Sequence, residues 1–81
     1  MKTRIRVSTV EPGMFSTERY VAFEVGGQEY SLFVDQSSVQ DHTLEVQVVE
    51  SYSDRMLIEL PRDTFTAGSR VYVPRDALVT I

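Results

Sequence analysis

Hydrophobic and polar residues alternate along most of this chain with a period of two, the spacing that sets one row of side chains on one face of a β-strand. Residues 4–7 read Arg-Ile-Arg-Val, apolar on one face and basic on the other. Val21, Phe23 and Val25 share a face over residues 19–25, and Tyr30, Leu32 and Val34 share one over 28–34. The same holds for Leu44, Val46 and Val48, for Met56, Ile58 and Leu60, and for Val71 and Val73. β-Branched and aromatic residues fill these runs, as a pleated, half-buried surface favours. Segments 11–18, with Pro12 and Gly13, and 61–69, with Pro61 and Gly68, read as loops. The pattern predicts five or six short strands and at most one helical turn.

Turn chemistry fixes two pairings. Gly26-Gly27 supplies the positive φ angles of a two-residue hairpin turn. In that register Phe23 faces Tyr30 and Val21 faces Leu32, so both strands turn the same face inward. Tyr20 and Phe33 then face each other on the outward side, and Glu24 stands against Glu29. Like charges directly opposite destabilise a ladder. The basic row Lys2, Arg4 and Arg6 has the period to relieve them, which predicts that the first strand neighbours this hairpin. The second hairpin carries a parity problem. A Ser53-Asp54 turn would point one of its two apolar rows outward. The repair is either a three-residue connection, Ser53-Asp54-Arg55, or a bulge near Val48-Val49, where alternation breaks. Either one puts Glu50 near the inward phase and Val49 and Leu57 near the outward one.

The C-terminal stretch has a glycine turn at Ala67-Gly68, a short strand, a Pro-led turn from Pro74 and a last β run to Ile81. This layout resembles the end of SH3-like small barrels. The fold expected is therefore all-β: one domain over residues 1–81, a five-stranded antiparallel SH3-like barrel. The alternative is an open antiparallel sheet that pairs edge to edge in a dimer. The segment Arg19-Tyr20-Val21-Ala22-Phe23-Glu24-Val25-Gly26-Gly27-Gln28-Glu29-Tyr30-Ser31-Leu32-Phe33-Val34 resembles the opening hairpin of chemotaxis coupling adaptors, longer proteins built on two SH3-like barrels. The likeness covers this one hairpin and implies a binding module.

At 81 residues the chain holds one domain with a thin core, and it has no cysteine to staple it. Absent cysteine fits a reducing, cytoplasmic setting. The N-terminus carries charges with no apolar stretch behind them, unlike a signal peptide. Apolar runs are a few residues long, far short of the ~20 a membrane span needs. With no cysteine and one histidine, Cys- or His-based metal sites are excluded, and no glycine pattern for a nucleotide cofactor occurs.

Charge is unevenly distributed. Residues 20–60 hold eight acids and a single base, Arg55, while the two ends together hold seven bases and four acids. If the ends meet in the fold, Lys2, Arg4, Arg6, Arg70 and Arg75 form a basic patch around Tyr72 able to stack on and pair with nucleic acid. A net charge of -4 opposes that use. His42 and the many serines and acids lack a nucleophile elbow or an oxyanion loop. The expected function is thus a non-enzymatic binding module, self-associating through an outward patch of Tyr20, Phe33, Val49 and Leu57. A small nucleic-acid-associated regulator is the alternative, and a small enzyme the third reading. No cofactor is expected, and the partners are a second copy or another protein.

Overall fold

The computed structural model describes residues 2–80. It contains β1 (Thr3–Arg6), β2 (Thr9–Pro12), β3 (Glu18–Val25), β4 (Gln28–Asp35), β5 (Val39–Gln40), β6 (Thr43–Ser51), β7 (Met56–Thr64), β8 (Gly68–Val73) and β9 (Leu78–Thr80). Two short 3-10 turns, Gln36–Ser38 and Arg75–Ala77, complete it. The fold is all-β, with two antiparallel sheets. One runs in the order β8-β7-β6-β1-β9, with β5 beside the start of β6, and the other is β2-β3-β4. No helix among the described residues is long and apolar enough to cross a membrane.

The two sheets share one core. Ile5, Leu44, Val46, Ile58, Leu60, Val71 and Val73 from the first pack against Val21, Phe23, Leu32 and Val34 from the second. The chain passes between sheets at two consecutive residues. The Val7 amide donates to the His42 carbonyl at 2.9 Å in the first sheet, and the Ser8 amide donates to Ala22 at 2.8 Å in the second. A third tie joins the far side, where the Phe65 amide donates to the Ser31 carbonyl at 3.0 Å.

The glycine hairpin has the register its turn dictates: Phe23 opposite Tyr30, Val21 opposite Leu32, Tyr20 opposite Phe33 and Glu24 opposite Glu29. Gly26 and Gly27 sit at φ 59° and 77°, the left-handed region that a side chain would strain. The C-terminal layout also matches, with Pro74 capping the 3-10 turn at Arg75–Ala77 before β9. The parity problem of the second hairpin is solved by the bulge. Tyr52 pairs with Arg55 across Ser53-Asp54, and the register shifts between Val48 and Glu50.

Several expectations are corrected. The first strand does not neighbour the glycine hairpin; β1 lies between β6 and β9. Arg4 and the preceding Lys2 turn to Glu45, at 3.8 Å and 3.5 Å, and Arg6 turns to the Asp76 carbonyl. The neighbour of the hairpin is β2, inside the segment read as a loop, with Pro12 at the strand end opposite Arg19. Strand β7 likewise runs past Pro61 to Thr64. There are two helical turns rather than one, and short strands outnumber the six expected. Val48 keeps the face of Leu44 and Val46, opposite the buried Ile58, though 39% of it stays exposed, and Glu50 is outward opposite Leu57, because the bulge resets the phase between them.

Glu24 and Glu29 therefore face each other with no ion-pair partner among the described residues. Glu29→Lys turns this repulsion into attraction. It is expected to raise stability by about 0.2–1 kcal/mol, read as a higher denaturation midpoint at unchanged slope.

Candidate functional site

The expected outward patch is divided between the two sheets. Tyr20 and Phe33 meet on the outer face of the β3–β4 pair, edge to face with ring centroids 5.8 Å apart. Phe65, from the turn between β7 and β8, completes the cluster. Its ring lies 6.5 Å from Tyr20 and 5.5 Å from Phe33. Phe65 is 60% exposed, and Tyr20 and Phe33 are half-buried. It sits in a segment without periodicity, so no alternation points to it. The nearest ion pair on this face is Arg62 with Glu18, at 3.3 Å.

Val49 and Leu57 belong to a second surface, the outer face of the β6–β7–β8 half of the first sheet. Leu57 lies between Glu50 on β6 and Tyr72 on β8, and Val49 is the bulged residue beside them. Next to this row, Tyr52 and Tyr72 hold ring centroids 6.1 Å apart, with the Arg55 guanidinium 5.0 Å and 4.9 Å from the two rings. The one base of the acidic middle segment is thus fixed by cation–π contact. The Tyr52 hydroxyl donates to Glu50 at 2.5 Å, which with partial burial pushes the phenol up to about 12. From the second 3-10 turn, Arg75 grips the hairpin tip. It donates to the Ser51 hydroxyl at 2.7 Å and to the carbonyls of Tyr52 and Ser53.

The five bases of the expected basic patch are each engaged by an acceptor in the chain. Arg4 is buried against Thr43 and the Ser38 carbonyl. Lys2 pairs with Glu45, Arg6 donates to the Asp76 carbonyl at 2.7 Å, Arg70 pairs with Glu59 at 2.8 Å, and Arg75 clamps the loop just described. Arg70 lies on β8, with β7 and β6 between it and β1. Tyr72, on the same strand, is occupied by Arg55.

Glu45, Glu59 and Asp35 are similarly tied. A cleft of about 450 Å³ opens beside Ser37, Ser38, Glu45 and Glu59. Glu45 is held by Lys2 and Arg4. The Ser69 hydroxyl, then Arg70, hold Glu59 below the usual carboxylate range. Asp35 is lowered by the Ser37 amide, which donates to it at 2.9 Å where it caps the first 3-10 turn. Both shifts are downward, so what these two carboxylates add to stability is present at neutral pH and lost as pH falls through their folded-state values.

His42 is exposed in the two-residue turn between β5 and β6, opposite no acid or serine hydroxyl that bonds it among the described residues. Asp41 and His42 have φ 50° and 58°. Neither is glycine, so this turn holds a backbone conformation costing roughly 1–2 kcal/mol per L-residue. His42→Gly removes one such cost against the extra freedom of glycine in the unfolded chain. A gain of roughly 0.5–1 kcal/mol is expected, measured by urea unfolding.

Comparison of the chain with family models, with curated proteins and with solved structures found no match.

Proposed function

We propose that this chain is a non-enzymatic protein-interaction module of SH3-like build that associates with itself. The finer fold reading rests on strand order. The last strand, β9, returns beside β1 straight after a Pro-led 3-10 turn. Strand β6 changes partner along its length, pairing with β1 over Thr43–Val46 and with β7 from Gln47 to Ser51. In this reading β1, β6, β7, β8 and β9 are the strands of an open SH3-like barrel whose end strands β8 and β9 do not pair with each other, and β2–β4 is inserted between its first and second strands.

The observation that carries the interaction reading is the exposure of large aromatics, Phe65 at 60% in the β7–β8 turn and Tyr72 at 50% on the outer face of β8. Aromatic residues are enriched at protein interfaces, and burying one there is worth roughly 1.5–3 kcal/mol. A small domain with a thin core gains from covering them. Analytical ultracentrifugation tests the reading. The protein is expected to move from 9.2 kDa monomer to dimer across the micromolar range. A chain that stays monomeric at high micromolar concentration overturns it.

A further inference from the structure

We propose that two copies join along the free edge of β8, antiparallel about a two-fold axis, so that the β6–β7–β8 half-sheets of both form one continuous sheet. This rests on the self-association reading and gives it an interface.

The strand edges of the fold differ in how they are protected. Natural proteins blunt an edge by shortness, by proline or by covering it. Strand β9 is three residues long. Strand β2 ends in Pro12, which has no amide to donate. Strand β4 is tied at Ser31 by the Phe65 amide. Strand β8 has none of these three devices, and its one charge, Arg70, is drawn back to Glu59 on β7. It is six residues, Gly68–Val73, without proline, and β7 is its only partner strand among the described residues. The tip of the glycine hairpin stands off from its C-terminal end across a cleft of about 400 Å³ bordered by Gly26, Gln28, Tyr72 and Val73.

A second copy fits this edge by charge and by parity. The charged side chains near it are already paired within the chain, Arg70 with Glu59 and Arg55, which lies over the Tyr72 ring, with Asp54. Two identical faces of this kind do not repel. Val71 and Val73 are core-facing, so the pairing must keep them inward in both copies. With Val71 on the two-fold axis, Arg70 of each copy stands opposite Tyr72 of the other, and like charges never meet across the seam. One self-complementary edge closes the assembly at a dimer. It also removes the exposed edge and covers Tyr72.

Two measurements on the full chain test this. In hydrogen–deuterium exchange at rising protein concentration, outward-facing amides within residues 69–73 are expected to slow as dimer forms. Tyr72→Lys, which sets two cations opposite each other, is expected to weaken the dimer at least tenfold in sedimentation, while Phe65→Ser leaves it intact. If the wild type is dimeric but exchange in 69–73 does not respond to concentration, the β8 edge is not the interface, whatever becomes of the Tyr72→Lys fold. The β8 edge is likewise excluded if Phe65→Ser dissociates the dimer and Tyr72→Lys does not; self-association then stands and the aromatic cluster on β3–β4 is its seat. A wild type that never dimerises overturns both readings.

Discussion

Phe23→Ala is expected to cost about 3–5 kcal/mol, the range for deleting a buried phenylalanine. A domain of this length has a total stability of about 4–12 kcal/mol, so the variant stands near the edge of folding. The reason lies in where the ring sits. Phe23 is 1% exposed on the middle strand of the β2–β3–β4 sheet, with the Tyr30 ring 5.5 Å away and the five-stranded order on its other side. Both sheets are fixed by their own ladders and by the hand-over at Val7-Ser8, so the cavity cannot collapse. The denaturation midpoint should fall sharply with little change in slope. Phe15→Ala is the control: at 68% exposure it should stay within about 0.5 kcal/mol of wild type. A cost below about 1 kcal/mol for Phe23→Ala would mean that the two sheets do not share a core.

The parts of this fold legible in the sequence are those decided within a hairpin's reach. Gly26-Gly27 admits one turn, and one turn with two alternating rows admits one register, so all eight cross-strand pairs of β3 and β4 follow. Parity alone shows that the Ser53-Asp54 hairpin needs a bulge or a longer connection, and the break in alternation at Val48-Val49 marks the place. Pro74 signals the last turn and the last strand. Long-range order is a different matter. The basic row of β1 suits Glu24 and Glu29 by charge, but Glu45 on β6 suits it equally, and apolar packing of Ile5 against Leu44 chooses β6. Charge pairing across exposed positions is too weak to set strand order. Pro12 and Pro61 suggest loops, yet each lies in a strand where its ladder bond is dispensable. Alternation finds Tyr20, Phe33 and Leu57 as outward residues. It cannot find Phe65, which alternates with nothing, nor show that the patch falls on two sheets.

Arg4 illustrates the same limit and carries the second large effect. Alternation places it on the basic face of the first strand, as part of an exposed patch. It is instead 4% exposed, and its guanidinium is the fastener of the segment between β4 and β6. The Nε donates to Thr43 Oγ1 at 2.7 Å, and Nη2 donates to the carbonyls of Ser38 at 3.0 Å and Thr43 at 3.3 Å. No buried side-chain nitrogen or oxygen among the described residues lacks a partner, so these bonds are part of a complete network. Arg4→Met keeps the apolar stem and removes every donor at once. The Ser38 carbonyl loses its side-chain donor, and Glu45 keeps only the exposed Lys2. Unpaired acceptors cost about 1–3 kcal/mol each when buried, and relaxation of the loop toward water returns part of that. The expected loss is roughly 2–4 kcal/mol, with Arg4→Lys intermediate because one ammonium cannot reach all three acceptors. Exchange of the Val7 amide, bonded to His42 in the fastened segment, should accelerate more than that of the β3–β4 amides. Lys2→Ala breaks only an exposed pair and should cost under about 1 kcal/mol. If Arg4→Met were no more costly than Lys2→Ala, Arg4 would be a surface residue after all, and the basic face read from the sequence would be restored.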